Sequence, residues 1–105
     1  MAKEQKKATR NVFRNRVFER DHWRCCVCQS PKGQFDAHHI TPRDEMPNGG
    51  YVVENGITLC AECHILAEEY IYDVEGPWSR SALYKKVGSN YSKAYAASLK
   101  LGCDS

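Results

Sequence analysis

The chain has 105 residues, 42% of them hydrophobic, a mean hydropathy of −0.63 and a formal net charge of +2. Those values suit one small soluble domain with a modest core. No apolar run approaches the ~20 residues of a membrane span, and the charged opening MAKEQKKATR has no apolar stretch behind it, unlike a secretory signal; a cytoplasmic protein is expected. The charge is uneven. Residues 1–24 hold eight Lys/Arg against three Asp/Glu, residues 25–76 two against nine, and residues 77–105 five against one. Two basic flanks around an acidic centre suit a metal site between arms that meet a polyanion; solvated helical faces would give the same pattern.

In chain order, residues 1–8 are polar and read as a frayed end. Thr9 is placed to cap a helix that runs to about Asp21, with Val12, Phe13, Val17 and Phe18 on helical spacing and Arg10, Arg14, Arg16 and Arg20 over much of the remaining surface. WRCCVCQSPKGQ brings a cysteine cluster and then a turn at Pro31 and Gly33. FDAHHI reads as a strand, TPRDEMPNGGYVVEN as a loop, GITLC as a second strand, and AECHILAEEYIYDV as a helix that stops before Gly76-Pro77. Two more helical pieces, at about 80–87 and 91–101, are split by GSN. Tyr84, Val87, Tyr91, Tyr95 and Leu99 recur at three- and four-residue steps and predict an added helix packed on the core. Trp23 and Trp78 are expected to cover that core, with stacking on bases as the alternative.

Six cysteines are many for this length, and their spacing decides their use. Cys25 and Cys28 stand in C-x2-C spacing, as do Cys60 and Cys63. Two such turns supply four sulfurs for tetrahedral Zn²⁺ at ~2.3 Å each. The stretch between them, residues 29 to 59, is too long for a simple finger and holds a structural excursion. In a chain this small, structural zinc would contribute ~10 kcal/mol or more of apparent binding energy to folding. Cys26 could replace Cys25 through C-x-C geometry, but C-x2-C is preferred, leaving Cys26 and Cys103 as buried or idle thiols. A redox role would account for neither the second pair nor the histidines beside it.

Read in order, Cys25-x2-Cys28, His38-His39-Ile40-x-Pro42, Gly49-Gly50, Asn55 and Leu59-Cys60-x2-Cys63-His64, with the lead-in ERDHWRCCVC, form a specific string. It resembles the zinc-knuckle subgroup of the HNH endonucleases over about residues 17–68. The resemblance implies a small α+β fold: a ββα-metal (His-Me finger) core stapled by the four-cysteine zinc site and flanked by N- and C-terminal helices. One domain over residues 1–105 is expected, with a basic helical segment at 1–24, the core at 25–75 and a basic helical tail at 76–105 that lies outside the resemblance. His38 stands where the family has Asp or His as a ligand of a catalytic divalent ion, and His39 at the general-base position. Asn55 is the middle motif residue, which fixes the loop that orients His39. His64 is the last motif residue and a second ligand; Glu68, one turn later, stands where a further ligand, often His, can lie. The activity implied is metal-dependent hydrolysis of DNA phosphodiester bonds, by nicking or double-strand cleavage, leaving 5′-phosphate and 3′-hydroxyl ends.

Elementary geometry agrees with these roles. Adjacent strand residues point to opposite faces, so His38 can face a metal while His39 faces a water. His64 and Glu68, four apart on a helix, share one face. A histidine with pKa near 6.5 accepts a proton at neutral pH. Each residue also has an ordinary reading. The histidine pair could be strand residues or zinc ligands, His64 a spare zinc ligand, Asn55-Gly56 a turn signal, and Glu68-Glu69 a solvated helix face. The sequence departs from the family at Gln29, where many relatives have Gly, and at Glu68, which tilts the catalytic ion toward Mg²⁺ or Mn²⁺, with Ni²⁺ or Zn²⁺ as alternatives. His22 has no catalytic role. Arg43 is placed to reach a phosphate; Arg20, Arg24, Lys85 and Lys86 are further candidates for DNA contact, together with Arg10, Arg14, Arg16 and Lys93. The rival reading is a non-catalytic zinc-binding DNA or protein adaptor. A third is a subunit active only with a protein partner, such as a packaging terminase, or as a homodimer. A phage or mobile-element origin is expected from the compact size.

Overall fold

A computed structural model describes the backbone of residues 3–31 and 33–101 and the side chains of residues 8–31 and 33–101; Cys103 lies outside them. Helix α1 spans Lys3–Arg20. It therefore begins well before Thr9, because KEQKKA is made of strong helix formers. Phe13, Val17 and Phe18 are buried along one side of α1, while Val12 is half exposed. His22 and Trp23 both take left-handed backbone, φ 57°, and turn the chain from α1 into the cysteine cluster. That turn carries Trp23 outward: it is 52% exposed and tilted against Phe18, not over the core as expected. Trp78 does pack against the core.

Strands β1, Phe35–His39, and β2, Gly56–Cys60, pair antiparallel with His38 opposite Ile57 and His39 opposite Gly56. The Asn55-Gly56 pair makes no hairpin turn, since Gly56 is extended, φ −119° and ψ 149°. Its glycine is demanded by packing: a Cβ there would lie 2.5 Å from Val17 Cγ2 and 2.9 Å from the Phe13 ring. Helix α1 thus lies directly on the His39 face of the strand pair. Its C-terminal end is tied down by Arg20, which donates to Val53 O and Gly56 O and forks onto Asp21. Asp21 in turn accepts from Thr58 N, while Thr58 O accepts from Cys26 N. Those two bonds cover the backbone of β2 that β1 leaves open.

Helix α2, Ala61–Glu69, follows β2 without a break. It ends at Tyr70, earlier than expected from AECHILAEEYIYDV; Tyr70, Tyr72 and Val74 beyond it are exposed, with the Arg80 guanidinium over the Tyr72 ring. Helix α3, Arg80–Lys86, is capped by Ser79, whose Oγ accepts from Ala82 N. Helix α4, Tyr91–Leu101, packs the other way round from the expected stripe. It buries Ala94 and Ser98 and leaves Tyr91, Tyr95 and Leu99 outside. Small residues let α4 approach the turn Pro47–Gly50 closely, where Asn48 donates to Ser98 O. The core is Cys25, Ile40, Met46, Ile57, Leu59, Cys63, Ala67, Leu83, Tyr84 and Ala94. The architecture is a small α+β one: a two-stranded antiparallel sheet, four helices and a four-cysteine cluster. Among the described residues, no helix is long and apolar enough to cross a membrane.

Candidate functional site

The two C-x2-C turns meet at one end of the strand pair. Cys25 and Cys28 sit on the turn after α1; Cys60 ends β2 and Cys63 opens α2. Their sulfurs all lie within 4.8 Å of one another, and Cys28 Sγ is 3.6 Å from Cys60 Sγ. A tetrahedral zinc with bonds of ~2.3 Å requires sulfurs ~3.8 Å apart, so the spacing fits. Burial alone would raise the Cys25 thiol, yet backbone N–H groups of Cys28, Cys60 and Val27 turned toward its sulfur hold it down at about 7. Burial and the neighbouring thiols push Cys63 up. Four thiols this close resist joint ionisation, and a bound cation relieves that conflict. Cys26 is outside the cluster; burial and the nearby Asp21 carboxylate raise its thiol to about 12, as fits an idle one.

The second cluster lies between β1 and α2. His38, His64 and Glu68 each offer a donor atom, and these lie within 4.8 Å of one another. Glu68 Oε1 is 3.2 Å from His64 Nε2 and 3.7 Å from His38 Nδ1. His38 is buried, and its Nε2 is a buried atom without a hydrogen-bond partner. Burial first, then His64 and His39, lower its pKa to about 3, so its ring is neutral at pH 7 and keeps a lone pair for a cation. Two imidazoles and one carboxylate suit a divalent ion.

His39 points the opposite way, as strand alternation requires. Its ring stacks on Phe13 of α1 at 4.5 Å and meets the edge of Tyr51 at 4.8 Å. Burial and then the Arg43 charge lower its pKa to about 4, below the 6.5 expected for a free histidine, so it is neutral at pH 7. Arg43 itself donates to Tyr51 Oη. The groove over His39 is lined by Arg10, Arg14, Asp36, Arg43, Tyr51 and His64, among others.

Asn55 is fully buried and its amide is saturated. Oδ1 accepts from Thr41 N at 2.9 Å and from Tyr84 Oη at 2.8 Å; Nδ2 donates to Thr41 O and Gly50 O. Asn55 O accepts from Ile40 N. The residues directly after His39 are therefore pinned from both sides, and Asn55 reaches them through the loop rather than touching the His39 ring. Thr41 Oγ1 and Tyr84 Oη, 2.6 Å apart, bring α3 into the same network.

The basic candidates separate. Arg43, Arg10 and Arg14 line the His39 groove. Arg24 and Lys86 border a different one, beside Cys25 and Cys26, and Lys85 a third, beside Arg80 and Tyr91. Arg20 spends its guanidinium on Asp21, Val53 and Gly56. Five residues at the site were not expected there: Asp36 against His64, Phe13 and Tyr51 against His39, and the Thr41–Tyr84 pair. Asp36 was legible in principle, two residues before His38 on the same strand face. The others join distant parts of the chain and carry no local signal.

Residues 25–68 match the family model described as HNH endonuclease, a span that takes in both cysteine pairs, both histidines of the strand, Asn55, His64 and Glu68. No curated protein and no solved structure matched the chain. The two strands, the following helix except its last residue, and the four-cysteine cluster lie inside that span, so the match to an HNH domain is carried by residues 25–68.

Proposed function

We propose that the protein is a metal-dependent DNA endonuclease acting through His39, with all 105 residues forming one nuclease domain. The observation that carries this reading is the pairing of two opposed histidines: His38 in a donor cluster with His64 and Glu68, and His39 on the other face, neutral and lodged in an arginine-lined groove. HNH domains are generally nucleases, which supports the reading further.

Cys25, Cys28, Cys60 and Cys63 would hold structural zinc, and His38, His64 and Glu68 a divalent ion. That ion, when bound, supplies charge stabilisation to the scissile phosphate and the departing 3′ oxygen. One carboxylate beside two imidazoles suits Mn²⁺ or Mg²⁺, with Ni²⁺ or Zn²⁺ as alternatives. His39 accepts the proton of the attacking water. Its basicity in the free protein is low, and an incoming phosphodiester raises it by offsetting the Arg43 charge. Phe13 and Tyr51 fix the ring plane, and Asn55 fixes the backbone that carries it. Arg43, Arg10 and Arg14 hold the phosphate backbone, which gives affinity without sequence preference.

A labelled DNA duplex incubated with the zinc-loaded protein and Mn²⁺, Ni²⁺ or Mg²⁺ tests this directly. The expected products are cleaved strands that a ligase can rejoin, since they carry 5′-phosphate and 3′-hydroxyl ends. Salt-sensitive binding with no cleavage under any metal would favour a zinc-binding adaptor instead. The second reading, a nuclease subunit active only beside a protein partner, is favoured by the exposed Tyr91, Tyr95 and Leu99 along α4.

A further inference from the structure

We infer that Asp36 is a positioning residue for the divalent-ion site: its carboxylate holds the Nδ1 side of the His64 ring so that Nε2 faces the ion. This rests on the nuclease reading above. Asp36 and His38 are two apart on β1 and share the strand face turned to α2. There the His64 ring lies between two carboxylates, with Asp36 Oδ2 3.1 Å from Nδ1 and Glu68 Oε1 3.2 Å from Nε2. The two nitrogens point away from each other across the imidazole, so a group on Nδ1 cannot share an ion bound at Nε2. Glu68 Oε1 also approaches His38, which marks the Nε2 side as the ion side. Asp36 is correspondingly absent from the set of converging donors, His38, His64 and Glu68.

A carboxylate that accepts Nδ1–H selects the tautomer with its lone pair on Nε2, locks the ring orientation and makes Nε2 a better donor. Without it, His64 divides its time between tautomers and ring orientations. The Asp36 side chain is 52% exposed, so its removal opens no cavity and the fold does not depend on it.

The test is Mn²⁺ affinity of the zinc-loaded full chain, read without DNA from the paramagnetic resonance signal of free Mn²⁺. Asp36→Ala should weaken binding by about 10–100-fold, the usual effect of losing such a partner. Asp36→Asn keeps an oxygen for Nδ1–H and should lose less. Zinc content and melting temperature should stay at the parent's values. Parental affinity in Asp36→Ala overturns the inference, and so does an equal loss in both variants, which a bare charge effect would give. Mn²⁺ binding that His64→Ala abolishes but Asp36→Ala leaves intact sinks this inference alone. A parent that binds no more Mn²⁺ than His64→Ala sinks it together with the nuclease reading. Asp36-dependent binding in a parent that cleaves no DNA upholds Asp36's role and overturns the nuclease reading only.

Discussion

Gln29 holds a left-handed backbone, φ 65°, at the turn that closes the first cysteine pair. Glycine takes that conformation freely, whereas a side chain costs about 1–2 kcal/mol. Gln29 recovers part of this by donating from Nε2 to Cys26 O. Gln29→Gly should therefore stabilise the zinc-loaded protein, but only by about 0.5–1 kcal/mol, because glycine also loosens the unfolded chain; a denaturant titration reads the difference, and a destabilised variant would contradict it. Asp21 makes a second test at this scale. Burial would raise its carboxyl, but Arg20 and the Thr58 N–H hold it below the usual carboxylate range. A carboxylate whose folded pKa is depressed stabilises the fold above its unfolded pKa of about 3.9, and that contribution fades as the pH falls through the folded value. Asp21→Asn should thus cost about 1–3 kcal/mol at pH 7, and the gap between the melting temperatures of parent and variant should begin to close only as the pH falls below about 4. Taking the difference removes zinc loss common to both, and a gap that widens on acidification would contradict the assignment.

At the scale of elements, α1 is part of the candidate site, although it lies before the matched span of residues 25–68. Phe13 stacks on His39, and the close approach of α1 depends on the missing Cβ of Gly56. Gly56→Ala should destabilise the protein by about 1–3 kcal/mol through overpacking and also impair cleavage, since Phe13 must move; unchanged stability and activity would show that α1 is not seated as described. Much of this arrangement was legible in sequence because it is local: GITLC is strand β2 residue for residue, and strand alternation sends His38 and His39 to opposite faces. The two C-x2-C pairs announced the cluster that joins them. What was not legible depends on partners far along the chain. Arg20 looked like one more surface cation until Val53 and Gly56 took up its donors. Asn55 was picked out by its place in the motif string, but the partners that saturate it, Tyr84, Gly50 and Thr41, were not. The period of Tyr91, Tyr95 and Leu99 marked a real helix but the wrong face, because close packing chose the small residues Ala94 and Ser98.

At the scale of the whole molecule, the cysteine cluster joins the turn after α1 to the junction of β2 and α2, and the core built around it includes Cys25 and Cys63 themselves. Structural zinc contributes ~10 kcal/mol or more of apparent binding energy, comparable to the whole stability of a typical domain at about 5–15 kcal/mol. Stripping zinc with a strong chelator should therefore unfold the chain, seen as loss of helical circular dichroism, and Zn²⁺ should restore it; full helicity in a zinc-free protein would contradict the structural role. The frame around the cysteine cluster holds the His38 cluster on one face of β1 and His39 on the other, the placement on which His39 is proposed as the base of a nuclease. The most direct measurement is plasmid nicking by the zinc-loaded parent and by His39→Ala, with Mn²⁺ added and the fold and zinc content checked in both. Nicking by the parent and a loss of about 10²–10⁴-fold in the variant are expected, the usual contribution of a general base. Equal nicking by a folded His39→Ala would contradict that role.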